Sequence, residues 1–126
     1  MNTRTGSQKN ILVVDDEPLV RLTIQMLLKT DGHIVHEADS ALAALAMFQP
    51  GKFDLIFTDY FMPVMKGDEF AAAIKKRSPG QPVVMVTAFP EKLTTSECPV
   101  GGVDSLICKP FELDTLRAAI THFTPA

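Results

Sequence analysis

The chain has 126 residues, 46% of them hydrophobic, and a formal net charge of −3. That is enough material for one domain with its own core and too little for two, and the acidic balance excludes a broad basic surface for nucleic acid or anionic membrane, Lys75-Lys76-Arg77 being the tight basic cluster. The longest apolar run, Ala41 to Phe48, is too short for a bilayer, no apolar segment follows the polar N-terminus, and Cys98 and Cys108 lack disulfide-framework or metal-ligand spacing; the expected chain is soluble, cytoplasmic and reduced.

Residues 1–9 are polar and carry no period, which predicts a flexible N-terminal tail. Asn10 to Val14 is a β-branched run that breaks off at Asp15-Asp16-Glu17-Pro18, the pattern of a buried strand feeding a helix with proline in its first turn. Val20, Ile24, Leu27 and Leu28 give that helix an apolar face, and Thr30-Asp31-Gly32 closes it with glycine in the left-handed position. His33 to Ala38 is a weaker strand with Ile34 as its clearest apolar member, and His36 and Glu37 suggest a sheet edge. Asp39 is the expected N-cap of a helix from Ser40 to Phe48, which Pro50-Gly51 ends.

Leu55-Ile56-Phe57 is apolar on both faces, as a central parallel strand must be, and Asp59 stands where that strand leaves the core. Met62-Pro63 and Gly67 turn the chain into a helix from Asp68 to Arg77, whose acidic first turn and basic last turn match the helix dipole. Val83 to Val86 is the fourth strand and delivers Thr87-Ala88 to the same edge as Asp59. Thr94-Thr95-Ser96, Pro99 and Gly101-Gly102 leave space only for a short or irregular fourth helix over residues 91–98. Ser105 to Cys108 is the fifth strand, Lys109-Pro110 ends it, and Leu113, Leu116, Ile120 and Phe123 stripe the last helix. Residues 10–123 therefore form the predicted domain, and 124–126 are its end or the start of a linker.

Five strands alternating with helical segments through short connections imply right-handed crossovers and a doubly wound α/β sandwich. The order suited to this size is the flavodoxin-like 2-1-3-4-5, with its switch point between the first and third strands. That order gathers Asp15, Asp16, Asp59, Thr87 and Lys109 at one edge. Three carboxylates that close repel one another and call for a cation. A hard divalent ion fits: Mg²⁺, with Mn²⁺ as the alternative, takes oxygen ligands and needs no sulfur or imidazole. An ammonium and a hydroxyl beside a metal-facing carboxylate are what an incoming phosphoryl group requires, and the carboxylate of Asp59 can then serve as its nucleophile.

The set Asp15-Asp16, Asp59 to Gly67, Thr87-Ala88 and Lys109-Pro110-Phe111 resembles the receiver domain of two-component response regulators over roughly residues 9 to 123. The resemblance implies that Asp59 accepts a phosphoryl group from a histidine kinase or a histidine phosphotransfer protein and passes a conformational change to an output domain or target protein. It implies Mg²⁺ held by Asp15, Asp16, Asp59 and the backbone carbonyl of Phe61, with Thr87, Ala88 and Lys109 gripping the phosphoryl group and reporting it. It also implies a cis peptide bond at Lys109–Pro110. Relatives often carry an aromatic residue where this chain has Leu106, so the aromatic half of the switch is expected to be altered here. Phe61, together with Phe89, is expected to shield the phosphorylated site from water.

On these grounds the chain is expected to be a phosphoacceptor switch, a monomer or weak homodimer that binds neither nucleic acid nor membrane itself. Its only chemistry would be Mg²⁺-dependent self-phosphorylation from a donor and slow self-dephosphorylation. A phosphatase working through an aspartyl phosphate would want a second acid two residues after the nucleophile, where Phe61 stands. The alternative is a receiver-like binding module that works without phosphorylation.

Overall fold

The computed structural model describes residues 8–88 and 102–124. The expected short helix over 91–98, Phe89, Cys98, residues 1–7 of the expected tail and the terminal residues 125–126 lie outside the described residues. Gln8 and Lys9 are hydrogen-bonded: the Gln8 amide donates to the Gly32 carbonyl at 2.9 Å, and the Lys9 N–H to His33 Nδ1 at 3.0 Å.

Among the described residues the strands are β1 (Asn10–Val14), β2 (Ile34–Ala38), β3 (Leu55–Thr58), β4 (Val83–Thr87) and β5 (Ser105–Cys108). The helices are α1 (Pro18–Thr30), α2 (Ala41–Met47), α3 (Gly67–Arg77) and α4 (Leu113–Phe123). All strand pairings are parallel, in the order β2-β1-β3-β4-β5. This is the α/β flavodoxin-like arrangement, with the chain reversing direction across the sheet between β1 and β3.

The alternation of side chains along β1 decides which helices cover which face. Ile11 and Val13, with Leu55, Phe57, Val84, Val86 and Ile107, pack against Ile24 and Leu28 of α1 and Leu116 and Ile120 of α4. Leu12 and Val14, with Ile56, Val83 and Met85, pack against α2 and α3 through Ala41, Ala44, Phe70, Ala71 and Ile74. Each large side chain sealed this way contributes roughly 1.5–3 kcal/mol, and because both faces are covered the central strands read as unbroken apolar runs.

Local sequence accounts for the element ends. Pro18 opens α1, and Gly32, at φ 86, occupies the left-handed position that closes it, where a side chain would be strained. The cap of α2 is Ser40 and not Asp39: the short Ser40 hydroxyl accepts the Ala43 N–H at 3.0 Å, and the helix starts one residue later than expected. α3 keeps its acidic first turn and basic last turn but begins at Gly67, one residue early, with the Glu69 carboxylate accepting the Lys66 N–H at 3.0 Å. β2 does lie at the sheet edge, and Ile34 is 41% exposed because it sits at the strand's outer end and not in the core. No helix among the described residues is long and apolar enough to cross a membrane.

Candidate functional site

Strand register brings the acidic residues together. Val14 of β1 pairs with Thr58 of β3, so Asp15 and Asp59 leave the sheet side by side. Their main chains are fixed to neighbouring strands: the Asp59 N–H donates to the Val14 carbonyl at 2.9 Å, and the Asp15 N–H to the Ala38 carbonyl at 3.2 Å. One carboxylate oxygen from each of Asp15, Asp16 and Asp59 lies within 4.8 Å of the others. Asp15 and Asp59 are buried, while Asp16 is exposed.

Lys109 arrives from the far side of the sheet. Thr87 of β4 pairs with Cys108 of β5, and the Lys109 N–H donates to the Thr87 carbonyl at 2.8 Å, which carries the ammonium back over the strand ends. Its Nζ donates to Asp15 Oδ2 at 3.2 Å and lies 3.5 Å from Asp59 Oδ1 and 3.9 Å from Glu17 Oε1. The Lys109–Pro110 peptide bond is cis.

Burial dominates the electrostatics. Loss of solvent, followed by the facing charge of Asp15, pushes the Asp59 carboxyl up to about 6, against the pull of Lys109 and of the Tyr60 N–H. Burial also raises Asp15, opposed first by the Glu17 N–H, which donates to Asp15 Oδ1 at 2.9 Å, and then by Lys109. Lys109 offsets one of the three carboxylates, leaving two negative charges in a pocket made only of oxygen donors. That charge and donor set fit one hard divalent cation and suit zinc poorly.

The remaining candidates take varied positions. Thr87 is the fully buried last residue of β4, two residues past Met85, the partner of Thr58, and Ala88 follows it into solvent. Phe61 stands two residues beyond Asp59, 43% exposed, its ring edge-on to that of Tyr60 at 4.7 Å. Leu106 lies within β5, half-buried, packed against the core on the α2 and α3 side. The acids and Lys109 thus form one cluster, while Leu106 belongs to the packing beneath it.

Three contributors have roles that only the three-dimensional arrangement shows. Glu17 both shapes the Asp15 carboxylate and faces Lys109. The buried Thr58 hydroxyl donates to the Asp59 carbonyl at 3.0 Å. Gly67, expected to help turn the chain, is needed for close approach: a Cβ there would collide with the Asp59 carbonyl oxygen and meet Tyr60 Cα at 3.0 Å. The left-handed residue of that loop is the exposed Val64, at φ 73, a conformation that costs a β-branched residue about 1–2 kcal/mol.

A family model described as the response regulator receiver domain matches residues 11–121. The chain is 36% identical over 120 residues to the chemotaxis protein CheY-3 of Vibrio cholerae, covering 93% of this chain and 92% of that protein. It is 32% identical over 112 residues to a cyclic di-GMP phosphodiesterase of Thermotoga maritima, spanning 89% of this chain but only 30% of that protein's length. Among solved structures it resembles the Thermotoga maritima response regulator TrrA in complex with Mg²⁺-BeF, with a TM-score of 0.79, 29% identity and coverage of 92% and 99% of the two chains.

Proposed function

The chain belongs to the response regulator receiver domain family, and on that premise we propose that Asp59 is its phosphoacceptor, with Asp15, Asp16, Asp59 and the Phe61 carbonyl as the ligands of a Mg²⁺ ion. A receiver domain is a signalling phosphoacceptor in two-component signal transduction, not a turnover enzyme, and it implies a histidine kinase partner. The observation that carries the assignment is the convergence of three carboxylate oxygens within 4.8 Å, with the Lys109 ammonium 3.5 Å from Asp59.

Each residue then has a task. The ionised Asp59 oxygen attacks phosphorus; an O–P bond forms, and the bond from phosphorus to the donor's leaving atom breaks with its electron pair remaining on the donor. Lys109, already drawn to the carboxylates, offsets charge on the transferred group, and Thr87 with Ala88 receives its remaining oxygens. A divalent cation, when bound, supplies charge neutralisation between carboxylates and phosphoryl oxygens; Mg²⁺ is the ion expected, and Mn²⁺ can substitute. Phosphorylation adds about −1.5 to −2 charge at Asp59, which biases Thr87 and the loop after it. Because Leu106 offers neither a phenol nor a ring to turn inward, the readout runs through Thr87 without an aromatic partner.

The donor is a histidine kinase or histidine phosphotransfer protein in the cytoplasm, and the signal passes to an output domain or target protein. The domain acts as a monomer or weak homodimer and binds no nucleic acid or membrane itself.

Intact mass after incubation with acetyl phosphate, with Mg²⁺ or EDTA, tests this. A Mg²⁺-dependent phosphoryl adduct in the wild type, absent in Asp59→Asn, is expected. A folded wild type that remains unmodified with Mg²⁺ contradicts the reading and favours a phosphorylation-independent binding module.

A further inference from the structure

We propose that Arg21 is a positioning residue for the acidic loop, its guanidinium holding the peptide between Asp15 and Asp16 in the orientation that brings both carboxylates to Asp59. This rests on the metal-site reading above and adds to it a residue that touches neither metal nor phosphoryl group.

Arg21 lies in the opening turns of α1, where its positive charge gains nothing from the helix dipole. Its side chain is only 17% exposed, so it is committed to contacts within the fold. Nη1 donates to the main-chain carbonyl of Asp15 at 2.6 Å, a short charge-assisted bond. Nε pairs with Glu37 Oε1 on β2 at 3.2 Å, which anchors the guanidinium to the edge strand. The Asp15 N–H is held by the Ala38 carbonyl on the same strand. Both peptide groups flanking Asp15 are therefore fixed from the β2 side, one directly and one through Arg21.

The second peptide matters most, because it also sets the direction of Asp16. That residue is exposed, so core packing cannot aim it. Arg21 meets this loop at the main-chain carbonyl of Asp15, so its influence on the carboxylates runs through the main chain. Groups that orient metal ligands in this way commonly change metal affinity about 10–100-fold when removed.

The test is Mg²⁺ titration of the full chain with no phosphoryl donor, followed by calorimetry and by fluorescence of Tyr60, the one tyrosine in a chain without tryptophan. Arg21→Met is expected to weaken Mg²⁺ binding about ten-fold, with Arg21→Lys recovering most of the loss by keeping one donor to the carbonyl. An Arg21→Met protein that binds Mg²⁺ within twofold of wild type, or a loss that Arg21→Lys leaves unrelieved, overturns the inference. Should Arg21→Met fail to fold in EDTA, Arg21→Gln decides, since it keeps a polar side chain at the site but removes the guanidinium from the carbonyl: weakening beyond about twofold supports the role, and affinity within about twofold of wild type overturns it. A wild type with no Mg²⁺ response overturns the metal site and this inference together, whereas a responsive wild type with an unaffected Arg21→Met overturns this inference alone.

Discussion

Gly67 packs directly against the main-chain carbonyl of Asp59, leaving no space for a side chain at the first residue of α3. The helix start and the strand end that carries Asp59 are thereby locked together, with the Thr58 hydroxyl on the same carbonyl and the Gly67 N–H donating to the Tyr60 carbonyl at 2.9 Å. Gly67→Ala is expected to cost about 1–3 kcal/mol in urea unfolding, as overpacking does, and to slow phosphorylation by shifting Asp59. A stability change below about 0.5 kcal/mol would show that the loop yields without moving the acceptor.

The raised Asp59 group makes stability depend on pH in a defined direction. Between about pH 4 and 6 the native chain keeps a proton that the unfolded chain has released, so in EDTA stability falls as pH rises through that window. Below it both states are protonated, and above it both are ionised and the full penalty stands. Its size is on the order of 2–3 kcal/mol, shared with Asp15, whose carboxyl is raised as well. Denaturation midpoints from pH 4 to 7 should therefore fall less steeply in Asp59→Asn than in the wild type. An equal slope in the two proteins would place the buried charge elsewhere.

Lys109 Nζ lies 3.2 Å from Asp15 Oδ2 and 3.5 Å from Asp59 Oδ1, oxygens that the proposed cation would share, and on the proposed function it also serves the transferred group. Lys109→Met should consequently move two observables in opposite directions: Mg²⁺ affinity rises several-fold as the competing charge leaves, and phosphorylation falls at least about ten-fold as the phosphoryl oxygens lose an ammonium. Calorimetry and donor-driven labelling measure the two separately. A parallel loss of both would mean that Lys109 mainly holds the loop together.

Phe61 follows Asp59 by two residues, its ring half exposed and edge-on to Tyr60. On the proposed function, an apolar ring at this position would keep water from the acyl phosphate, whereas an amide would hold it by hydrogen bonds. Phe61→Asn should speed dephosphorylation several-fold at unchanged stability, read as decay of the adduct after donor removal. An unchanged decay rate removes the ring from the account.

Period and punctuation made the sheet legible in the sequence. Unbroken apolar runs mark β1, β3 and β4, and the breaks after Val14 and Phe57 put Asp15, Asp16 and Asp59 at one edge. Illegible were the features set by distance in three dimensions. Nothing in the spacing distinguishes Gly67 as a close-approach glycine from a turn glycine, and nothing ties Arg21 to Asp15 six residues before it or to Glu37 sixteen residues after it. The cap of α2 went to Ser40 because two adjacent residues, Asp39 and Ser40, both suit the position and only the backbone selects between them. Ile34, the clearest apolar residue of β2, is 41% exposed at the end of an edge strand, a degree of exposure that its apolar character does not announce.

The central claim is that Asp59, among three neighbouring aspartates, is the one that takes the phosphoryl group. Borohydride reduction of the acetyl-phosphate-treated, Mg²⁺-loaded protein, followed by peptide mapping, reads the acceptor directly, because an aspartyl phosphate is reduced to homoserine at its own position. The account predicts reduction at residue 59, dependent on Mg²⁺ and absent in Asp59→Asn. Reduction at Asp15 or Asp16 in the folded wild type, with Asp59 intact, would contradict it.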